Sequence, residues 1–378
     1  MERLPGARDG RNVLIVGPVP PPVGGASVSF KTFLDAWTVC IGSPGGLINT
    51  SARYLKTTRK LKFSDVIRGI SVAWKLWQKA PRGGTILAFV NNGFYLRYAA
   101  FLSLLQRVRN VRVVLSFFGG NLYNDLMSLS TSERKRILGH LSQVKTTIVE
   151  TQNLLTNLSG LGLQNLVSIP GYRRIAWESL PEIPRDRSPE MKLVFLSHVK
   201  PEKGVGELLG AVESVNRNGC RIHCDIFGPI VAEFENEFHQ RVNGIPGVKY
   251  CGVANGGTPA LLAGYDALVL PTWYPGEGHP GVIIESMMAG IPVVATRFRA
   301  IPELVEDGVN GRLCEPRDVA SLCQVLEELA HSPDELLRMG VANRQRLMRH
   351  DVFKAVDTVY GIISSGESAP RCPYQGAN

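Results

Sequence analysis

The chain has 378 residues, 44% of them hydrophobic and 20% charged, with 42 Lys and Arg against 33 Asp and Glu. That length and apolar content suit two domains, each with its own core, and exclude a disordered chain or a small disulfide-stapled scaffold. No run of eighteen apolar residues spans a membrane, the stretch 99–105 being too short, and the seven cysteines, without CxxC spacing, read as reduced thiols.

Residues 12–16, Asn-Val-Leu-Ile-Val, read as an apolar strand running into a Pro-rich loop that ends at Gly24-Gly25 before a helix. Paired glycines there let backbone N–H groups approach an anion or a sugar closely, although the pair on its own is also a plain turn. It is not the Gly-x-Gly-x-x-Gly fingerprint, which disfavours an NAD enzyme. A basic stretch follows: Arg53, Lys56, Arg59, Lys60, Lys62, Arg68, Lys75, Lys79 and Arg82, with Trp74 and Trp77 among apolar residues. Residues 1–190 carry 25 Lys and Arg against 11 Asp and Glu, and the remainder 17 against 22. Cations mixed with tryptophans on an amphipathic stretch suit an anionic membrane surface or a lipid diphosphate; a solvated basic face has the same composition. No nucleic-acid partner is expected, because charge is present without a recognised binding motif.

Further strands are expected at 86–90, 111–117, 147–151 and 167–170, the first two ending in Asn91-Asn92-Gly93 and Phe118-Gly119-Gly120-Asn121. Residues 176–190, with three prolines and mixed charge, read as a linker between an N-terminal domain (1–175) and a C-terminal one (191–350). Leu193-Val-Phe-Leu-Ser-His198-Val-Lys200-Pro-Glu-Lys203-Gly204 reads as strand, loop and the start of a helix. Strands at 222–227, 248–252, 267–270 and 293–296 and a helix at 261–265 are expected next. Pro280 opens another helix, whose buried face is Ile283, Ile284, Met287 and Met288 and which ends at Gly290-Ile-Pro292. A last helix covers 352–364, and the tail from 364 to 378 reads as disordered. Strands alternating with helices at this spacing give an α/β protein with parallel sheets covered on both faces and ligands at the carboxyl ends of the strands.

Glu277, in a loop rich in Gly and Pro, and Glu285, early on the following helix, are the most informative pair. A loop entering a helix offers unpaired N–H groups and the positive end of a dipole, which suits the phosphates of a nucleotide. Each carboxylate then accepts hydrogen bonds from vicinal hydroxyls on a sugar or a ribose. Taken alone, the pair also fits two solvated surface carboxylates.

Glu277, seven residues, Glu285, and then Ala-Gly-Ile-Pro-Val-Val-Ala-Thr resembles the retaining glycosyltransferases of family 4, as does Pro-Glu-Lys203-Gly204. The likeness is strongest over 192–316 and runs in outline through the rest. It implies a GT-B fold, two Rossmann-like domains with parallel sheets facing across a cleft, in which the N-terminal domain takes the acceptor and the final helix returns to it. By this likeness Glu277 contacts the transferred sugar, Glu285 the ribose, and Lys203 the donor diphosphate. Gly24, Gly25, Gly278, His279, Gly281 and Val282 line the donor site, with Trp273, Tyr274 and Ser286 as further wall candidates. His198 stands where the family has arginine, so either it is a weaker phosphate contact or Lys200 supplies the missing charge.

The implied reaction moves a sugar from a nucleoside diphosphate to an acceptor hydroxyl with retention. The acceptor is expected to be a saccharide carried on a polyprenyl diphosphate, in surface or exopolysaccharide synthesis. No Asp-x-Asp motif is present, so no metal and no other cofactor is expected. The start lacks the apolar core of a signal peptide, so the expected place is the cytoplasm, peripheral on the inner membrane face. Two alternatives stand beside this reading: a catalytically silent sugar-nucleotide binder, and a glycoside hydrolase, which would have no use for a lysine aimed at phosphates.

Overall fold

The structure, a computed structural model, describes residues 9–51, 63–90, 92–183, 190–254 and 256–364. These fall into two units: the chain up to Arg174 joined by the segment from Asp351, and Ile175–His350. Of the expectations above, the basic residues between 53 and 62 and the tail beyond 364 lie outside the described residues.

The first unit runs β1 (Val13–Gly17), α1 (Gly25–Cys40), β2 (Gly46–Asn49), α2 (Phe63–Lys79), β3 (Thr85–Val90) and α3 (Asn92–Arg109). It continues with β4 (Arg112–Phe117), α4 (Leu122–Met127), α5 (Thr131–Gln143), β5 (Thr146–Val149), α6 (Gln152–Gly160) and β6 (Leu166–Ser168). Its six strands are all parallel, in the order β2-β1-β3-β4-β5-β6. Every residue of β1, β3 and β5 is buried, as continuous apolar runs require when helices cover both faces. On one face Phe30 and Phe33 of α1 close on Phe89, with ring centroids 5.2 and 4.7 Å away. On the other, Leu76, Tyr95, Leu102 and Leu105 form a second cluster with Leu115 and Phe117.

The second unit runs β7 (Met191–Leu196), α7 (Val205–Arg217), β8 (Ile222–Phe227), α8 (Glu235–Val242), β9 (Val248–Tyr250) and α9 (Thr258–Leu262). Then come β10 (Ala267–Leu270), α10 (Gly281–Ala289), β11 (Val293–Thr296), α11 (Ile301–Leu304), β12 (Gly311–Cys314), α12 (Val319–Ala330) and α13 (Pro333–Gln345). This sheet is also parallel, in the order β12-β11-β10-β7-β8-β9. The last helix, α14 (Val352–Ser364), belongs to the first unit: Val352, Val356 and Val359 share a buried cluster with Phe33 and Trp37 of α1.

Strand order fixes where each unit has a crevice. In the second sheet the chain leaves β7 toward β8 and β9, then returns to β10 and continues the opposite way to β11 and β12. The loops after β7 and β10 therefore diverge to opposite faces, which is the switch point where open α/β sheets bind ligands. The first sheet reverses between β1 and β3, so the loop ending at Gly24 lies at its switch point.

The structure differs from the sequence reading at several places. Residues 176–183 are attached to the second unit rather than linking freely: Ile175 is in its core, Trp177 and Leu180 pack against it, and the Arg344 guanidinium donates to Pro181 O at 2.7 Å. Proline content conceals those apolar anchors. The helix expected at 261–265 is α9, displaced toward Thr258 because Pro259 fits its first turn, and Gly264 and Tyr265 form a turn after it. Pro280 is the N-cap of α10 rather than its first residue. Among the described residues Cys220, Cys224, Cys251, Cys314 and Cys323 are free thiols.

Candidate functional site

After β7 the backbone turns through a 3-10 segment, Pro201–Lys203, into Gly204, which has φ +76° and serves as the N-cap of α7. A Cβ at this position would lie 1.9 Å from Pro271 O, so glycine is required both for the left-handed backbone and for the approach of the two loops. The loop after β10 is bonded onto the turn, the Trp273 N–H donating to Glu202 O at 2.9 Å. This docking brings residues that are 74 positions apart to one place: Lys203 Nζ lies 2.7 and 3.0 Å from the two oxygens of Glu277.

The Glu277 carboxylate is only 6% exposed. Besides Lys203 it takes a hydrogen bond from the Thr272 hydroxyl at 2.7 Å, and the Thr272 oxygen accepts the Tyr274 N–H at 3.1 Å. A buried carboxylate persists where charge and hydrogen bonds replace water, which these partners do. The Tyr274 ring presents its face to two ammonium groups, Lys200 Nζ at 3.7 Å and Lys203 Nζ at 5.1 Å from its centroid. Burial, and then the Glu277 and Glu202 carboxylates, raise the Tyr274 hydroxyl above its ordinary range. Trp273 is held from two sides: its indole N–H donates to Glu207 at 3.0 Å, and Arg317 lies 4.0 Å over its ring.

Of the three basic groups in the β7 loop, His198 is not an effective cation. Burial first, and then Lys203 and Lys200, lower its pKa below the ordinary 6.5, so the ring is mostly neutral at neutral pH. Lys200 is lowered chiefly by burial as well, with Glu202 and Glu277 opposing and Lys203 assisting the shift.

The remaining candidates are distributed as follows. Glu285 is half-buried in the second turn of α10, whose N-terminus has neither a side-chain cap nor an acidic residue. Gly278 is buried and Gly281 half-buried in the loop and first turn, and half-buried Val282 packs against the core. The His279 side chain is nearly fully buried, its Nε2 3.3 Å from Glu303 and its ring edge-to-face with His350. Ser286 is fully buried; its hydroxyl donates to Ile283 O at 2.7 Å and meets Asn343 Nδ2 at 3.3 Å. Gly24 and Gly25 belong to the first unit, Gly24 as the extended N-cap of α1, with open space where a Cβ of either would stand.

Thr272, Glu207 and Arg317 were missed from the sequence. Thr272 had a signal, since it follows directly the strand end that carries Glu277; the other two lie on separate elements. Among the described residues no group of three His, Cys, Asp or Glu is placed to hold a metal ion, and no helix is long and apolar enough to cross a membrane. The five free thiols among the described residues are all raised by burial first, which keeps them protonated and poorly nucleophilic.

Comparison with known proteins bears on the same segment. Residues 190–332 match the family described as glycosyl transferases group 1. An MMP alpha-(1->4)-mannosyltransferase of Mycolicibacterium hassiacum is 36% identical over 153 residues, which are 39% of this chain and 36% of that protein. A glycogen synthase of Mycobacterium tuberculosis is 28% identical over 226 residues, 57% of this chain and 53% of that one. The chain thus spans between a third and about half of the length of these curated relatives. Among solved structures, Anabaena HepE in complex with UDP superposes with a TM-score of 0.68 at 17% identity, covering 93% of this chain and 99% of that one. A sucrose-phosphate synthase from Thermosynechococcus elongatus gives 0.71 at 14% identity, covering 92% and 97%. Likeness at such low identity concerns the fold, two parallel sheets in two units, whereas the family match rests on the segment that holds Lys203, Glu277 and Glu285. Residues 190–332 match the glycosyl transferases group 1 family, in a chain with the GT-B fold.

Proposed function

We propose that the protein is a retaining hexosyltransferase of the family 4 type, moving a sugar from a nucleoside diphosphate to an acceptor hydroxyl. The observation that carries this reading is the Lys203–Glu277 pair, held at the switch point of the second sheet beside the open N-terminus of α10. An ammonium and a carboxylate in contact serve two parts of one donor: the lysine takes the diphosphate, and the carboxylate takes hydroxyls of the sugar next to it. Glu285 takes the ribose hydroxyls. Support for a nucleotide donor comes also from the fold neighbour HepE, whose structures hold UDP and UDP-glucose.

The chemical difficulty is the charge that develops on the departing diphosphate. Lys203 and the first N–H groups of α10 are fixed in place to meet it, and each such preorganised donor contributes about 3 to 4 kcal/mol. Lys200, beside Tyr274, supplies the second cation, since His198 is mostly neutral. The acceptor proton passes to the leaving phosphate on the same face, without a separate base and without a metal. The acceptor is a saccharide on a polyprenyl diphosphate, used in surface or exopolysaccharide synthesis, with the protein peripheral on the inner face of the plasma membrane.

The neutral His198 also favours a second reading, a sugar-nucleotide binder with an impaired diphosphate site. A melting-temperature screen against UDP, GDP, ADP and their sugar conjugates decides between them when paired with an assay for released nucleotide, because a ligand of the folded state raises the transition. A selective shift with turnover supports the transferase, and a shift without turnover on saccharide lipids supports the binder. No shift with any nucleotide overturns both.

A further inference from the structure

In the first unit, α2 and α3 cover one face of the sheet and bury apolar side chains against it. Val72 and Leu76 of α2 join Tyr95, Ala99, Leu102 and Leu105 of α3 in one buried cluster. The two helices are also tied directly, the Tyr98 hydroxyl donating to Gly69 O at 3.0 Å and Arg109 lying 5.0 Å over the Trp77 ring. Their outer sides, pointing away from the sheet, are unusual in what they expose. Ile70 and Trp74, one turn apart on α2, are 66% and 61% exposed, and Leu104 and Val108, one turn apart on α3, are 47% and 59% exposed. A helix that already buries one apolar stripe gains nothing in water by presenting a second.

The charge around these ridges has one sign. Beside Ile70 and Trp74 runs a parallel ridge of exposed Lys75 and Lys79, continued by Arg82, and Arg107 is exposed between Leu104 and Val108. Residues 66–124 contain eight Lys and Arg and no Asp or Glu, so the repulsion among these cations has no internal relief within that stretch of chain. Cations with bulky apolar side chains between them match a surface that is negative outside and apolar a few ångströms deeper, which is the boundary of an anionic bilayer. A nucleic acid would use the charge and leave Ile70, Trp74, Leu104 and Val108 in water.

We propose that the outward face of α2 and α3 is the docking surface of this protein for an anionic lipid bilayer, with Trp74 and Ile70 entering the headgroup boundary and Lys75, Lys79 and Arg82 meeting the lipid charges. This deepens the lipid-borne acceptor reading and rests on it only for the choice of partner. The test therefore uses vesicles with neither donor nor acceptor present, so that its failure leaves the donor assignment where it stands.

The experiment is vesicle flotation of the full chain with phosphatidylcholine alone and with phosphatidylcholine containing phosphatidylglycerol, at low and high salt. The expected result is binding to the anionic vesicles only, weakened by salt. Lys75→Glu with Lys79→Glu lowers the partition coefficient by about twentyfold or more, since each basic side chain at such a surface contributes roughly a factor of five. Ile70→Ser with Trp74→Ser lowers it comparably while the circular dichroism spectrum and melting temperature stay as in the parent, because both residues are exposed. Leu104→Ser with Val108→Ser gives an independent reading of the second ridge. Equal flotation with neutral and anionic vesicles, no flotation with either, or parent-like binding by the Ile70/Trp74 variant would overturn the proposal. So would retention on duplex DNA that is indifferent to Trp74.

Discussion

Lys203 Nζ and Glu277 Oε2 stand 2.7 Å apart, joining two loops that leave neighbouring parallel strands, β7 and β10, in opposite directions. Both side chains are largely shielded from water, so neither is replaceable without consequence for the other. Lys203→Ala leaves the Glu277 carboxylate buried with the Thr272 hydroxyl alone. Breaking a buried pair from one side costs about 3 kcal/mol of stability, and losing a donor to the leaving group costs roughly a hundredfold to a thousandfold in kcat/KM. Urea midpoints and initial rates check the two effects separately. Glu277→Gln, which keeps a hydrogen-bonding group beside Lys203, is expected to lose less stability than Lys203→Ala while still losing turnover.

Glu285 is half-buried within a helix, and alanine suits that position, so Glu285→Ala should fold normally. If it binds the ribose, nucleotide affinity falls by about tenfold or more, the value of a hydrogen bond to a charged group. Titration calorimetry with the nucleotide found in the melting screen measures this, and an unchanged affinity would remove the ribose assignment.

His198 gives a pH dependence whose sign is fixed by its environment. Burial and the two neighbouring lysines place its pKa in the folded protein below the ordinary 6.5. Above that pH the residue is neutral in both states and contributes nothing. Below it the unfolded chain takes up a proton that the folded chain resists, so stability declines as pH falls from 6.5 toward the folded pKa. His198→Gln lacks this contribution, and the difference in unfolding free energy between parent and variant should change in the variant's favour over that window. Urea titrations at a series of pH values provide the comparison; a difference independent of pH would contradict the stated cause.

Gly204→Ala tests the docking of the two loops. With φ at +76° and Pro271 O only 1.9 Å from the position of a Cβ, the substitution both strains the backbone and pushes the Glu277 loop away. A loss of about 2 kcal/mol or more is expected, together with reduced donor affinity. Gly25→Ala, where the same Cβ meets open space, is the control for stability.

Much of this was legible in the chain itself. The strands of both sheets are apolar runs bounded by Gly and Pro, and a parallel sheet buried on both faces leaves that pattern with little ambiguity. The sequence reading lacks β2, a short run in which only Ile48 is buried, and β12, a four-residue run that begins with glycine and is interrupted by Arg312. The extent of α9 was missed because Pro259, in a first helical turn, starts a helix rather than breaking it.

The sequence by itself determined which ionisable residues are candidates for a donor site: Lys203, Lys200 and His198 in one loop, Glu277 in another, Glu285 four residues into a helix. It could not say which of them touch, because contacts between loops 74 residues apart depend on strand order rather than on local pattern. Tertiary structure decided that Lys203 holds Glu277, that the Tyr274 ring lies against Lys200, and that the side chains of His279 and Ser286 are buried. It also decided that His198 is mostly neutral, since desolvation is a property of the surroundings a side chain acquires on folding and not of its neighbours in sequence.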